Sequence, residues 1–230
     1  MNKNYTIKPV GVQAIQVIFE QKIDEVINGK VMTLKEKLSD LSSDVVRELI
    51  PTFASLLIYY DPLKTDFASM KRLVEGLLQE KQDSSPSQGR LIEIPVCYGG
   101  KYGEDLEFVA RHAGLTPEEV IRIHSGRDYR IYMLGFLPGF PYLGGMDERL
   151  VTPRLESPRT KIPAGSVGIG GAQTGIYPME SPGGWQLIGR TPIPLFRPED
   201  NGKLPYEAGD WIRFIPIDEK EYEERTYYGD

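Results

Sequence analysis

The 230-residue sequence is 40% apolar, enough to bury one large core or two ordinary ones. A net charge of −6 leaves no basic footprint for nucleic acid, and no apolar run reaches the ~20 residues of a membrane span. One cysteine, Cys97, excludes an intrachain disulfide. The opening MNKNYTIKPV lacks the apolar core of a signal peptide, so a cytoplasmic chain without membrane or nucleic-acid partners is expected.

In chain order, Tyr5–Val10 and Ala14–Phe19 are rich in β-branched residues and separated by Gly11, which predicts two strands at a tight turn. The period then changes. Ile23, Val26, Ile27, Val31, Leu34 and Leu38 recur at three- and four-residue steps and predict a helix burying one face, with Gly29 a weak spot inside it. Val45–Ile50 and Ser55–Tyr60 read as strands. Thr65 or Asp66 caps a second helix with Phe67, Met70, Val74, Leu77 and Leu78 as its stripe. The order ββαββα predicts a small N-terminal α+β sandwich over residues 1–81.

Residues 82–90, QDSSPSQGR, carry Ser, Pro and Gly and no large apolar group, and are read as a linker to a second domain at 91–230. There Leu91–Val96 is strand-like, with Cys97 beyond it as a small buried residue rather than a nucleophile. Asp105–His112 is a helix stopped by Gly114. Thr116-Pro117-Glu118-Glu119 is a capping box with proline at the first helical position, opening a helix over Pro117–Ser125. Tyr129–Leu134 and Trp211–Pro216 are strands. Between Gly135 and Arg190 lie 12 glycines and 7 prolines in 56 residues, interleaved with Phe136, Phe140, Tyr142, Tyr177 and Trp185. That composition excludes a run of helices and predicts short strands with tight turns, hence a mostly β barrel or sandwich whose aromatic faces line a cleft. Residues 218–230 hold six acids and two bases and read as a solvated acidic tail.

Gly170–Gly175 has the glycine spacing of a phosphate loop, but Ile176 and Tyr177 stand where Lys and Ser or Thr are needed. Ser166 lacks the strand-to-helix context of a triad nucleophile. The amides of Gly165 and Ser166 are instead expected in an anion-binding nest. His112 and His124 have no cysteine or second histidine nearby, so no metal site is expected. His112 reads as structural; His124, ending its helix just before Gly126, is the histidine expected to face the cleft. Arg154, Arg159 and Arg190 present planar forks suited to carboxylate or phosphate, with Asp147, Glu148, Glu156 and Glu180 available as structural partners.

On these residues the chain resembles the PxpB/KipI family, also called allophanate hydrolase subunit 1. The carrying motifs are Gly135-Phe136-Leu137-Pro138-Gly139-Phe140-Pro141-Tyr142-Leu143-Gly144, Pro153-Arg154, Ser157-Pro158-Arg159, Pro163-Ala164-Gly165-Ser166-Val167, Gln173-Thr174-Gly175-Ile176-Tyr177-Pro178 and Ser181-Pro182-Gly183-Gly184-Trp185. The resemblance implies an α+β chain, an N-terminal α+β domain followed by a cyclophilin-like β-barrel. Two functions are implied. One is the B subunit of an ATP-dependent 5-oxoprolinase, which opens 5-oxoproline to L-glutamate together with A and C subunits, ATP acting at the level of the complex. The other is inhibition of a sporulation sensor histidine kinase by direct binding. A related segment forms half of a carboxyltransferase domain in urea-carboxylating enzymes. The residues expected to act are Arg154, Arg159, Arg190 and His124, with Phe136, Phe140, Tyr142, Gly165, Ser166, Gln173, Tyr177 and Trp185 lining the cleft.

Overall fold

The computed structural model describes residues 4–22, 24–41, 44–80, 89–200 and 203–227. The chain divides into two compact units, 1–88 and 89–230. Most of the expected linker lies outside the described residues, and Gly89 and Arg90 already belong to the second unit. The Arg90 backbone N–H and guanidinium both bind the Asp210 carboxylate, at 2.8 and 2.6 Å.

In the first unit β1 (Tyr5–Val10), β2 (Ala14–Phe19), β3 (Val46–Pro51) and β4 (Ser55–Tyr60) form an antiparallel sheet in the order β1-β2-β4-β3. Helices α1 (Glu25–Asp40) and α2 (Phe67–Gln79) pack with Ile15, Val17, Leu56 and Ile58 in one core through Val31, Leu34, Leu38, Met70 and Val74. Asp24 and Asp66 cap the two helices, each accepting backbone N–H bonds of the first turn. One expectation for α1 changes. Val26 is 68% exposed, because the buried stripe passes through Ile27, Asn28 and Gly29 instead; Ile23 lies outside the described residues.

The second unit is a closed barrel, whose strands are β5 (Leu91–Tyr98), β6 (Asp128–Leu134), β7 (Pro141–Gly144), β9 (Ser166–Gly170), β10 (Gln173–Ile176), β12 (Gln186–Arg190) and β13 (Trp211–Ile217). They close in the order β10-β7-β6-β13-β5-β12-β9. A separate ribbon pairs β8 (Arg159–Ile162) with β11 (Ser181–Gly183). Strands β5 and β13 run parallel in unbroken register from Trp211↔Leu91 to Ile217↔Cys97. Helices α3 (Leu106–Ala113) and α4 (Pro117–Ser125) join the barrel core through Val109, Val120 and Ile123. Gly114 ends α3 in the left-handed conformation. The expected solvated tail is a helix, α5 (Glu219–Tyr227), whose Tyr222 packs tilted against Tyr102 while Lys101 pairs with Glu219 and Glu223. Tyr222, set among the acids, finds Tyr102 in the folded chain and gives the helix its aromatic contact.

The capping box is complete: Thr116 Oγ1 accepts the Glu119 N–H at 3.2 Å, and the Glu119 carboxylate accepts the Thr116 N–H at 2.9 Å. Thr116→Ala removes one side of it and is expected to lower the unfolding free energy by about 1 kcal/mol, measured by urea denaturation. An unchanged midpoint would mean that packing alone holds α4.

Candidate functional site

Along β10 and β12 the side chains alternate between the barrel interior, which takes Ile176 and Ile188, and the outer wall, which takes Tyr177 and Leu187. On that wall Phe140, Ile162, Tyr177, Trp185 and Leu187 form a second small core. Phe140 is its pivot, meeting Trp185, Tyr177 and Tyr142 edge-on at centroid distances of 5.4, 5.2 and 5.0 Å. The indole can lie flat against the strands because position 170 has no side chain: a Cβ there would come within 2.4 Å of Trp185 Nε1. The groove above this layer encloses about 310 Å³, with Phe136, Arg154 and Pro158 among its walls. Phe136 sits at its lip, 62% exposed and at φ 67°, a conformation that costs a non-glycine residue energy. Strain and an exposed aromatic ring at one position mark the groove as built for contact.

The structure separates the three arginines. Arg154 belongs to the groove: its guanidinium lies 5.8 Å from the Trp185 ring, and no carboxylate pairs with it among the described residues. Arg159 is instead a clamp, bound to Asp105 at 2.8 Å and Glu104 at 3.0 Å, with a longer bond to the Trp185 carbonyl. Asp105 in turn accepts the Leu187 N–H at 2.6 Å. Together they fasten the start of α3 to the strand that follows Trp185, so Arg159 positions the groove and does not line it. Arg190 emerges elsewhere on the wall, 5.9 Å from the Tyr102 ring.

His124 does not face the groove. It is fully buried in the barrel, where Nδ1 meets Tyr98 Oη and Nε2 meets Thr174 Oγ1, each at 2.8 Å. Thr174 donates onward to the Gly168 carbonyl at 3.0 Å. The chain of donors therefore runs Tyr98 O–H to Nδ1, then Nε2–H to Thr174 to Gly168, which fixes the tautomer and satisfies a neutral ring. Burial presses its pKa down to about 3. The ring stacks on Phe214 at 4.6 Å and serves the core.

The expected nest at Gly165 and Ser166 is absent. Gly165 N–H donates to the Tyr177 carbonyl at 2.7 Å and Ser166 N–H to the Pro163 carbonyl, so neither amide is available to an anion. Gly165 takes φ 79°, and a Cβ there would strike the Thr191 carbonyl at 2.5 Å. Gln173 opens β10 opposite Gly170, outside the groove wall. Phe136, Phe140, Tyr142, Tyr177, Trp185 and Arg154 therefore share one groove, while Ser166 and Arg190 pair with each other across β9 and β12. Asp105 and Tyr102 escape a reading of the sequence. Asp105 is visible there only as the residue opening a helix, and Tyr102 carries no pattern at all. Among the described residues no group of three or more His, Cys, Asp or Glu is placed to hold a metal ion, and no helix is long and apolar enough to cross a membrane.

The family model for carboxyltransferase domain, subdomain C and D, matches residues 5–205. The chain is 46% identical over 232 residues to the 5-oxoprolinase B subunit of Bacillus subtilis (strain 168), covering 96% of this chain and 97% of that protein. The corresponding 5-oxoprolinase chain of Escherichia coli O157:H7 is 40% identical over 208 residues, or 90% and 94% of the two chains. Of solved structures, TTHA0988 aligns with a TM-score of 0.78 and 35% identity over 90% of this chain and 40% of its own.

Two outcomes test these assignments. Arg159→Ala is expected to cost about 2–3 kcal/mol in urea unfolding, less than a fully buried pair because part of the side chain remains in water; an unchanged stability would return Arg159 to the ligand-binding arginines. For His124 the unfolded ring titrates near 6.5 and the folded one near 3, so its neutral form contributes stability above pH 6.5 that drains away as pH falls through that window. The slope there approaches about 1.4 kcal/mol per pH unit. Unfolding measured from pH 7 to pH 4 should show this component in the wild type and lose it in His124→Gln.

Proposed function

Because this chain belongs, with the 5-oxoprolinase B subunits it matches, to the family of the carboxyltransferase domain, subdomain C and D, we propose that it is the B subunit of an ATP-dependent 5-oxoprolinase. The observation that carries this reading is identity sustained over nearly the full length of both chains, since fold alone does not assign a reaction. In this reading the complex, with its A and C subunits, opens the lactam of 5-oxoproline to L-glutamate, and ATP supplies the driving force.

This chain contributes surface to a composite site. The phosphate-loop spacing Gly170–Gly175 forms the β9–β10 turn and continues into Ile176 and Tyr177, so these residues do not fit a nucleotide cradle and no ATP step is assigned to them. The groove does fit the other reactant. Aromatic walls accept the flat lactam ring and exclude water from it, and the Arg154 fork meets the substrate carboxylate over Trp185. Arg159 acts through Asp105 to hold that wall in place. The exposed ring of Phe136 offers the lip to another chain of the complex.

Alone, the chain is expected to show no 5-oxoproline-dependent ATPase; mixed with the A and C subunits it should yield glutamate and ADP together. Arg154→Ala, which touches only the groove rim, is expected to raise the KM for 5-oxoproline by about tenfold or more through the loss of a charge-assisted contact, with assembly intact. Equal turnover by complexes lacking this chain would overturn the reading, and suppression of sensor-kinase autophosphorylation by the isolated chain would replace it with a kinase-binding role.

A further inference from the structure

Two buried polar atoms on the outer wall of the barrel have no hydrogen-bond partner, Ser166 Oγ and Arg190 Nε. Their residues stand directly opposite each other on β9 and β12, so both side chains leave the sheet on the same side. Val167, the next residue, points into the barrel core, which places Ser166 on the outside. Ser166 is nevertheless fully buried. A donor and a hydroxyl left unmatched side by side are costly unless something joins them.

Tyr102 lies against Arg190, its ring 5.9 Å from the guanidinium, and the Tyr222 ring of α5 tilts against Tyr102 at a centroid distance of 4.2 Å. The remaining anchors of the helix are the ion pairs from Lys101 to Glu219 and Glu223, all exposed and therefore weak. We propose that Tyr222 is an internal stand-in for a small planar-ring monocarboxylate, which binds between Tyr102 and Arg190, reaches Ser166, and displaces α5. A phenol brings a flat ring and a single oxygen to this place. A ring carboxylate brings the same ring and two charged oxygens, enough for the Nε edge of the guanidinium fork and for the Ser166 hydroxyl. The charge must be single. Lys101 is already engaged, and Cys97, opposite Arg190 on β5, has its thiol pushed up by burial and further by the negative field of Glu219 and Asp218 over this face. A dianion such as phosphate meets that field with one cation to offset it. The site is separate from the groove, which holds Arg154.

Benzoate, its neutral isostere benzamide and inorganic phosphate, titrated calorimetrically into the full chain, test this directly. In the Arg154→Ala chain, whose groove has lost its carboxylate contact, benzoate should bind one to one, and benzamide about tenfold more weakly for want of the charge-assisted contact. In that background Arg190→Lys and Ser166→Ala should weaken benzoate, and Tyr222→Ala should tighten it severalfold by removing the internal competitor. Without ligand, Ser166→Ala should hold or raise the melting temperature, because an unmatched buried hydroxyl is lost. The proposal is overturned by benzoate failing to bind the Arg154→Ala chain both with and without Tyr222→Ala, by benzamide or phosphate binding there as well as benzoate, or by a destabilised Ser166→Ala that binds benzoate normally.

Discussion

The second unit is organised by the parallel pairing of Leu91–Tyr98 with Trp211–Ile217. These strands come from opposite ends of the unit, and a parallel pair cannot be joined by a short turn, so everything between them must be wound into the barrel before they meet. Parallel direction also means that both strands exit at the same end. The chain leaving β5 delivers Lys101 and Tyr102 there, and the chain leaving β13 delivers α5. Tyr222 therefore finds Tyr102 despite their distance along the chain. At the other end of the pair, Asp210 receives Arg90 for the same reason.

Inside the barrel, the same closure places one polar line through an apolar core. His124, from a helix, links Tyr98 on β5 to Thr174 on β10, and Tyr129 on β6 donates to the His124 carbonyl at 2.7 Å. Every member is satisfied, so the line costs little in place and a great deal if one member is removed or the ring takes a proton. That asymmetry makes His124 a determinant of barrel geometry. It also explains why a lone histidine at a helix end is a poor guide to a cleft: the helix terminus is equally able to turn inward.

On the outside, the wall is divided by how backbone groups are used. Gly165 N–H holds the Tyr177 strand end and the Gly165 carbonyl accepts from Thr191 N–H, which closes the backbone between the groove on one side and Arg190 on the other. Three arginines that look equivalent in composition thus acquire three roles. Arg154 makes no ion pair among the described residues and stays available; Arg159 meets Asp105 and Glu104 and becomes a clamp; Arg190 lies against the Tyr102 ring, which Tyr222 from the far end of the chain packs upon. Charge chemistry supplied the candidates, and the neighbours selected among them.

What rests on local chemistry was legible before any fold was known. Period, capping and turn residues located the elements of the first unit, and β5, α3, α4, β6 and β13 of the second, to within about two residues, because a capping box or a glycine after a helix acts over four or five positions; between Gly135 and Arg190 they gave only the class, short strands with tight turns. The aromatic lining of the groove was legible too, since aromatic residues interleaved with Gly and Pro can pack only through tight turns, and the motif run carried the family. Other features came only with the folded chain: that His124 turns into the core, that Arg159 pairs with Asp105, that the amides at Gly165 and Ser166 are engaged, and that the acidic tail is a helix resting on Tyr102. Most of these depend on a partner brought from a remote part of the chain, and no local propensity records which distant strand end will arrive beside a given side chain.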